Sequence, residues 1–563
     1  MDDSRTLPEY VRHWAETTPD RRAFTFVEHP VPNARGIHRT LTWRRLDQRV
    51  RAVAARLAEE AEPGARVALL CPQGLDYVTG FLAALTAGLV AVPLYPPGLP
   101  GQGDRLVGVL ADARPAAVVT TSPALEQVAE HCERANVAVI AADLVPDSAA
   151  RDRPAPVPDP GTTAYLQYTS GSTRAPAGVE ITHANVAANA RQALTAYGAD
   201  TDPVTCVGWL PLYHDMGLVL SVAAPVVRGL LSVLMDPAAF LHEPARWLRL
   251  LAAHPRTVSA APNFAYDYCA AAVTEAQKAD LRLDGVAALI NGSEPVRPAT
   301  ADRFHAAFAA QGLAADTHCP SYGLAEATVF VSAARPGEPL RRFTLDRDAL
   351  AAGKALPARP DDPHGVPLAG CGTPAGQEVR VVDPVSCAVL SDGEVGEIRV
   401  RGPNVGRGYW NGGEHFGEHS GGWLRTGDLG TVLDGQLIVT GRLKDLIVVD
   451  GRNHYPQDVE ATVQEAHPAV RRDRLAAFGT AGDDGERVVV VAEHTRAARF
   501  AEIDVPALAR AVRAAVSVRH GLRLADVVLV PPGTVPRTSS GKVSRALTRA
   551  RYLAGAYPAE GAR

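Results

Sequence analysis

The sequence predicts an α/β protein with a large N-terminal part and a small α+β C-terminal domain. Three observations lead to this prediction. Apolar runs alternate with helical segments early in the chain, short strands separated by glycines begin near residue 378, and a compact segment follows Gly441. Such alternation is typical of parallel sheets covered on both faces, and a final segment of about 120 residues is long enough to form a domain.

The first elements can be placed one by one. Short apolar runs between polar turns predict buried strands at Arg66–Cys71, Leu89–Leu94, Ala116–Thr121 and Val137–Ala142. Helical patterns between them predict helices at Leu75–Ala87 and Pro123–Arg134. The Pro- and Asp-rich segment 151–161 is interpreted as a surface linker. Further on, EVRVVD, GEIRVRG and GQLIVTGR indicate a small antiparallel sheet or barrel.

Composition excludes several classes of protein. The 563 residues are 46% hydrophobic and 21% charged, which is typical of a globular protein, and the net charge of −5 gives no overall attraction to nucleic acid. The seven cysteines never form C-x-x-C, so neither a disulfide framework nor a zinc site is expected. The uncharged stretch 77–103 is interrupted by Gly and Pro, and the N-terminus is polar. We therefore expect a soluble, cytoplasmic protein without a membrane span.

Two motif-like patterns are set aside. Gly370–Ala375 matches G-x-G-x-x-A, but it runs into a strand rather than a helix, so it does not fit a dinucleotide site. His214-Asp215 has no matching partner cluster in the sequence, so metal ligation there is not expected. Lysine is rare in this chain: it accounts for four of the 57 basic residues, at positions 278, 354, 444 and 542, so these positions are candidates for a function.

A hydroxyl-rich loop follows a predicted strand at Ala164–Tyr168. The loop is Thr169-Ser170-Gly171-Ser172-Thr173, and it precedes Gly178, the strand VEIT and a helix. Successive backbone N–H groups with hydroxyl side chains form a concavity suited to phosphate oxygens. Taken alone, the pentapeptide could also be an ordinary Ser/Gly turn. The location of the loop between a strand and a second strand–helix unit favours phosphate binding.

Further motifs follow this loop in a fixed order: WLPLYHDMGL, NGSEPV, SYGLAEAT, RTGDLG, GRLKDLIVVDGRNHYPQDVE and PRTSSGKVSR. Together they resemble the adenylate-forming superfamily of acyl-CoA synthetases, luciferases and peptide-synthetase adenylation domains. LQYTSGST, PNFAYDYC, YGLAEATVFVS and GRNHYPQDVE are most similar to the fatty acyl-AMP ligases. The Pro/Arg/Asp-rich stretch 335–366 is similar to the insertion that separates those ligases from acyl-CoA synthetases.

The resemblance implies an architecture and a reaction. Residues 1–441 would form an adenylation domain of two α/β/α subdomains and a small β-barrel, and residues 442–563 a mobile domain with the catalytic lysine. A fatty or related carboxylic acid would react with ATP to give acyl-AMP and pyrophosphate. Transfer would follow to the phosphopantetheine thiol of a holo acyl carrier protein in polyketide, nonribosomal peptide or lipid biosynthesis. Two alternatives stay open, an acyl-CoA synthetase and a non-enzymatic adenylate-binding protein.

Specific roles are also implied by the resemblance. Lys542 would contact the carboxylate and α-phosphate, Glu326 would hold Mg²⁺, and His214 would lie where the acyl and pantetheine channels meet. The phosphates would bind at Thr169, Ser170, Gly171, Ser172 and Thr173. The adenosine would bind at Gly292, Ser293, Glu294, Tyr322, Gly323, Asp428 and Arg442. Lys444 falls at the position of the family's hinge.

The chain departs from related sequences at several positions. Ala177 and Ala325 replace residues that often contact phosphate, although both changes are tolerated among fatty acyl-AMP ligases. Leu220-Ser221 and Ala260-Ala261 stand where related ligases tend to carry glycines. Added side chains occupy volume in a close-packed wall. We therefore hypothesise an acyl pocket that favours short or medium chains or an unusual acid.

Overall fold

The computed structural model describes residues 5–31, 36–99, 102–132, 137–150, 158–169, 177–201, 203–482, 485–496, 503–538 and 541–557. In this part of the chain the predicted alternation of strands and helices is present. The observed strands begin and end within two residues of the predicted limits, because apolar runs extend beyond the residues that pair across the sheet.

The first large sheet has six strands. In spatial order they are Ala138–Ala141, Ala117–Thr120, Arg66–Leu69, Val90–Pro93, Thr163–Tyr168 and Gly178–Thr182. All neighbours are parallel except the last pair, which is antiparallel. Val67 and Leu69 pack into one apolar cluster and Ala68 and Leu70 into another, so both faces are covered. This explains why the strands read as continuous apolar runs.

Helices cover this sheet and connect its strands. They are Trp43–Leu57, Leu75–Thr86, Gly103–Ala113 and Leu125–Cys132, the last preceded by a short 3₁₀ turn at Ser122–Ala124. The predicted helix at 123–134 is therefore shorter than expected within the described residues, since Pro123 lies in the 3₁₀ turn.

The second large sheet has nine strands. In spatial order they are Thr373–Pro374, Ser332–Ala333, His318–Tyr322, Val286–Asn291, Thr257–Ala261, Thr205–Gly208, Leu231–Met235, Arg22–Glu28 and Ile37–Thr42. The six central strands are parallel, and the strands at both edges are antiparallel. Thr373–Pro374 belongs to the G-x-G-x-x-A match, which therefore lies in a strand and does not open a helix.

The helices that accompany this sheet include one interrupted helix. The regular ones are Leu7–Thr17, His183–Ala196, Pro237–His242, Ala245–Ala252, Asn263–Ala272, Glu275–Lys278 and Pro298–Phe308. The interrupted one runs as α-helix Asp215–Leu218, a π-turn Val219–Ala223 and α-helix Ala224–Arg228. A single π-turn inside a helix often marks a functional site.

The glycine-rich region forms the small antiparallel sheet that the sequence predicts. Its strands are Glu378–Val382, Gly396–Arg401, Leu424–Leu433 and Gln436–Arg442. The stretch 335–366 contributes strand Arg342–Asp346 and helix Arg347–Ala351, and the strand pairs with Gly365–Ala369. Leu345, Leu350 and Val366 pack with Leu429 and Tyr455 in one cluster, so this stretch is anchored to the small sheet and to the C-terminal segment.

The C-terminal segment is α+β, as predicted. Strands Val470–Gly482, Gly485–His494 and Leu524–Val530 form a sheet, and Ile447–Val449 pairs with Arg452–His454. Its helices are Pro456–Ala466, Val505–His520 and Arg545–Leu553. The predicted domain limit at 441/442 falls just before the last residue of strand Gln436–Arg442 and stays a prediction. Among the described residues no helix combines the length and apolar character needed to cross a membrane.

Candidate active site

His214 and Asp215 lie where the interrupted helix begins. His214 is the residue before the helix, and its Nδ1 is 2.6 Å from Oδ1 of Asp215. The same carboxylate oxygen accepts a hydrogen bond from the Met216 amide at 2.7 Å. Burial works against the charged carboxylate, but His214 and, more weakly, Lys542 hold the pKa of Asp215 below its ordinary value. Asp215 is therefore an anion that interacts electrostatically with Lys542, the catalytic lysine candidate.

The segment Gly292-Ser293-Glu294 follows the end of strand Val286–Asn291. A Cβ on Gly292 would lie 2.9 Å from the Ser321 carbonyl oxygen, so this close approach of two backbones requires glycine. Ser293 adopts a left-handed conformation with φ of 72°. Glu294 accepts a hydrogen bond from the Phe264 amide at 2.7 Å, and burial raises its pKa.

Tyr322, Asp428 and Arg442 form a chain of contacts between the second large sheet and the small antiparallel sheet. The Tyr322 hydroxyl donates to Oδ2 of Asp428 at 2.9 Å, and Nε of Arg442 donates to Oδ1 at 3.0 Å. Burial raises the pKa of Asp428, whereas Arg442 and Tyr322 oppose that shift. The pairing of strands Leu424–Leu433 and Gln436–Arg442 places Asp428 directly opposite Arg442.

Glu326 lies in a tight loop after Tyr322. A Cβ on Gly323 would lie 1.6 Å from the Val329 carbonyl oxygen, so only glycine allows the loop to fold back here. The Tyr409 hydroxyl donates to Oε1 of Glu326 at 2.7 Å, and the Glu326 carbonyl accepts from the Gly406 amide at 2.9 Å. Burial raises the pKa of Glu326, against the hydrogen bond from Tyr409.

Lys542 lies in a hairpin of the C-terminal segment. The Thr538 amide donates to the Lys542 carbonyl at 2.8 Å, and Arg537 and Val543 form an isolated bridge. Burial lowers the pKa of Lys542, while Asp215, Glu294 and Asp428 act in the opposite direction. The lysine thus lies within the electrostatic field of three carboxylates that the N-terminal part supplies.

The phosphate-binding candidates are only partly described. Ser170, Gly171, Ser172 and Thr173 lie outside the described residues. Thr169 stands at the start of that loop, where its amide donates to the Ala177 carbonyl at 3.3 Å. Nη2 of Arg105, on helix Gly103–Ala113, donates to the Thr169 carbonyl at 2.5 Å.

A small cavity is lined by several of these residues, namely Gly292, Ser293, Tyr322, Gly323 and Asp215. The rest of its lining is mostly apolar and includes Tyr197, Met216, Leu220, Ile290, Val329 and Phe330. Apolar walls with a few polar groups are typical of small-molecule sites.

Lys444 is the predicted site residue that stands apart from this group. It is exposed in the 3₁₀ turn Leu443–Asp445, between the small antiparallel sheet and the C-terminal domain. Asp445, next to it, is held by Nη1 of Arg545 at 3.2 Å. Its location suits the hinge that the resemblance implies.

Sequence reasoning missed Asp215 and Arg105. Asp215 was considered only as a metal ligand, although a carboxylate before the apolar run MGLVLSVAAP is a visible signal. Arg105 gave no signal, because its contact with Thr169 joins residues that are far apart in the chain.

Two families match the chain. Residues 11–410 match the family described as AMP-binding enzyme, and residues 444–561 match the AMP domain of Disco-interacting protein 2-like proteins. The chain is 42% identical to the long-chain-fatty-acid–AMP ligase FadD26 of Mycobacterium marinum, over 98% of both chains. It is 42% identical to the long-chain-fatty-acid–AMP ligase FadD32 of Mycolicibacterium smegmatis, over 99% of this chain and 96% of that one. FadD21 of Mycobacterium tuberculosis, named a putative fatty-acid–CoA ligase, is 41% identical over 98% of both chains.

Solved structures agree with these relatives. A structure from a study of fatty acyl-adenylate ligases of E. coli and L. pneumophila has a TM-score of 0.88 at 32% identity, over 98% of both chains. The fatty acyl-adenylate ligase of L. pneumophila in complex with acyl adenylate and pyrophosphate has a TM-score of 0.74 at 33% identity. That match covers 97% of this chain and 96% of the other.

The chain belongs to the AMP-binding enzymes, a family of AMP-forming ligases. Within it, the full-length identity places the chain among the fatty-acid–AMP ligases. The resemblance inferred from the motifs and the predicted fold class are thereby confirmed. The prediction that the chain is an AMP-forming ligase, rather than a protein that only binds adenylate, is likewise confirmed.

Proposed function

We propose that this chain activates a fatty or related carboxylic acid with ATP and Mg²⁺, and then transfers the acyl group to a holo acyl carrier protein. The observation that carries this proposal is the electrostatic interaction of Lys542 with Asp215, Glu294 and Asp428, of which Asp215 lines a cavity with a mostly apolar wall. In the first step the acid's carboxylate oxygen bonds to the α-phosphorus of ATP, and the bond to pyrophosphate breaks.

The protein's own groups supply positioning and charge for this step. The substrate carboxylate and the triphosphate repel each other, and the Lys542 ammonium is placed to reduce that repulsion and to stabilise charge that develops on the α-phosphate. Asp428 is suited to accept hydrogen bonds from the ribose hydroxyls, and Tyr322 to lie against the adenine. Asp215 helps to keep Lys542 protonated in a partly buried position.

The residues present fit a magnesium ion that is held partly by the nucleotide. Among the described residues no group of three or more metal-ligating side chains occurs, so a site made wholly of protein ligands is not found there. Mg²⁺ bound to ATP usually needs only one or two carboxylates, because phosphate oxygens and waters complete its coordination. Glu326 would supply that carboxylate, and Tyr409 would orient it through Oε1. When bound, the metal would neutralise charge on the phosphates.

The acceptor separates this proposal from its alternative, an acyl-CoA synthetase. The stretch 335–366, which is ordered by a two-stranded pairing and by a shared apolar cluster, supports the fatty acyl-AMP ligase interpretation. Purified enzyme should be given CoA and holo acyl carrier protein in parallel, and acyl thioester measured for each. Thioester formed on CoA at a rate equal to or above that on the carrier would favour the alternative. Localisation in the cytoplasm is proposed together with this role.

The first experiment is acid-dependent ATP–pyrophosphate exchange over aliphatic acids of C6 to C16, aryl acids and amino acids. Exchange with an aliphatic acid is the expected result. The absence of pyrophosphate exchange with every acid of the panel would contradict the proposed substrate class. Binding of a non-hydrolysable acyl-adenylate analogue would then show whether the fold still recognises the intermediate.

Replacing Asp428 by Asn should raise the KM for ATP by about 10- to 100-fold, because a charged hydrogen-bond acceptor contributes about 1.5–3 kcal/mol. The turnover number should change much less. Asp434→Asn is the matched control, since Asp434 lies in the same hairpin, is 72% exposed and should not touch the nucleotide. An unchanged KM for ATP in Asp428→Asn would remove Asp428 from the ribose site.

The structure distinguishes among the four residues that suggested a short acyl pocket. Leu220, in the π-turn, belongs to the apolar lining of the cavity. Ser221 instead packs against Gly208, where a Cβ would lie 2.5 Å from the Ser221 hydroxyl oxygen. Ala260 and Ala261 are buried in a sheet strand. Leu220 is therefore the residue that we propose to limit chain length.

Leu220→Ala should move the preferred acid to a longer chain by about two or more carbons, because truncation of an apolar lining residue enlarges the cavity. The measurement is pyrophosphate exchange over C6 to C16 for both proteins. Ser221→Ala, on the same turn but against the sheet, should leave the preference unchanged. A wild-type optimum at C14 or above would contradict the short-pocket hypothesis.

A further inference from the structure

An ion pair joins the residue after the segment NGSEPV to the C-terminal domain, in addition to the Arg347–Asp458 and Arg452–Asp348 pairs between the two parts. Arg297 directly follows NGSEPV and precedes helix Pro298–Phe308, and its Nη2 donates to Oδ1 of Asp473. Asp473 belongs to strand Val470–Gly482 of the C-terminal domain. The side chains are 37% and 22% exposed, so water only partly screens the pair.

Asp473 reaches Arg297 because the strand bulges there. Val470 pairs with His494 and Leu475 with Ala492, so residues 471–474 stand opposite Glu493 alone. Asp473 has a φ of 56°, a left-handed conformation that Asp and Asn tolerate better than most residues. Bulges of this kind redirect side chains and are frequent beside active sites.

Hydrogen bonds and an ion pair stabilise both sides of the bulge. The Asp473 amide donates to the side-chain oxygen of Gln464 at 3.1 Å, and Arg471 forms an ion pair with the buried Glu493 at 2.7 Å. Arg474 donates to the Asp473 carbonyl at 2.6 Å. These contacts hold the Asp473 carboxylate in a fixed place. Asp473 is the one acidic residue in the sequence RRDR.

Arg297 is equally well placed on the N-terminal side. Its amide donates to Oδ1 of Asn263 at 3.1 Å, and its Nη1 is buried without a hydrogen-bond partner among the described residues. Burial disfavours the cation, but Asp473 and then Glu294 raise the pKa of Arg297. Glu294 also lies within the field of Lys542, so the ion pair and the lysine belong to one electrostatic group.

We propose that Arg297 and Asp473 are positioning residues for adenylation, whose ion pair holds the C-terminal domain where Lys542 enters the active site. This inference rests on the proposed two-step function. The pair opens when the domain moves for acyl transfer, and Glu294 then remains beside Arg297. Neither residue touches the substrate, so their effect on the chemistry is transmitted through the placement of Lys542.

Asp473→Asn and Arg297→Gln should each lower the turnover number of pyrophosphate exchange by about tenfold, the cost of a partly buried charged contact. The KM values for ATP and acid should change less than about twofold, because the proposed substrate sites lie on the N-terminal part. The double variant should be no slower than either single one, since both remove the same interaction. Asp473→Glu should retain most of the activity.

Asp302→Asn is the matched control, because it removes an exposed Arg342–Asp302 pair that does not reach the C-terminal domain. This control variant should leave the rate of pyrophosphate exchange unchanged. Additive losses in the double variant, or a loss confined to KM, would overturn the proposal. Thermal unfolding should confirm that all variants are folded.

Hydrogen exchange provides a readout that does not depend on activity. Amides of residues 536–545 should exchange about tenfold faster in Asp473→Asn than in wild type if the pair holds the domain closed. Equal hydrogen-exchange rates in Asp473→Asn and wild type would refute the positioning role, even if the enzyme proves active. Faster exchange in a protein without pyrophosphate exchange would support the ion pair and contradict the proposed function instead.

Discussion

Lys542→Ala should reduce acid-dependent pyrophosphate exchange by about 100- to 1,000-fold, the effect of removing one preorganised charge from a transition state. The reason is that Lys542 is the cation that the C-terminal hairpin places among Asp215, Glu294 and Asp428. Transfer from chemically prepared acyl-AMP should be affected much less, since that step does not require charge stabilisation at the α-phosphate. The two half-reactions should therefore be measured separately.

The pH dependence gives a second test of the same residue. Burial lowers the pKa of Lys542, so the charged form should be lost at a lower pH than in a free lysine, and exchange should decline as the pH rises through that value. Lys542→Arg keeps its charge at all these pH values and should lose that alkaline decline while retaining partial activity. Lys354→Ala, at an exposed lysine, is the matched control. Equal rates in Lys542→Ala and wild type would refute the catalytic assignment.

Glu326→Gln should lower the rate of pyrophosphate exchange by about 100-fold or more. It should also raise the Mg²⁺ concentration needed for half-maximal rate, because an amide is a much weaker ligand than a carboxylate for a hard cation. The change conserves shape, so the hydrogen bond from Tyr409 to this side chain can persist. The measurement is exchange as a function of Mg²⁺ at saturating ATP and acid.

Tyr409→Phe separates ligation from orientation. It removes the hydroxyl that donates to Oε1 of Glu326 and leaves the carboxylate in place, so a loss of about tenfold or less is expected. An unchanged Mg²⁺ requirement in Glu326→Gln would exclude Glu326 as the metal ligand.

Much of the site was visible in the sequence because its residues occur in short local motifs. Glycine at positions 292 and 323 is required by backbone contacts that leave no space for a side chain. Tyr322, Glu326 and Asp428 were predicted as nucleotide or metal ligands, and the structure brings Tyr322 and Asp428 into direct contact. Their roles toward a nucleotide stay predictions until the variants are measured.

Asp215 shows the limit of that approach. Its pairing with His214 is local and could be read from two adjacent letters, but its effect on Lys542 joins residues on opposite sides of the domain boundary. The contact between Arg297 and Asp473 is of the same kind. A strand bulge produces it, and no pattern of residue types in RRDR indicated which of the four side chains would face the other domain.

By itself, the sequence determined the elements and the chemistry of this protein. Apolar periodicity decides whether a segment forms a strand or a helix, and short motifs carry the groups that act on phosphate, ribose and metal. Only the tertiary structure decided which of these groups meet. Leu220 rather than Ser221 faces the cavity because a π-turn sets the rotation of the helix. Lys542 interacts electrostatically with three carboxylates that are distant in the chain because domain packing, which depends on all the contacting surfaces at once, places its hairpin there.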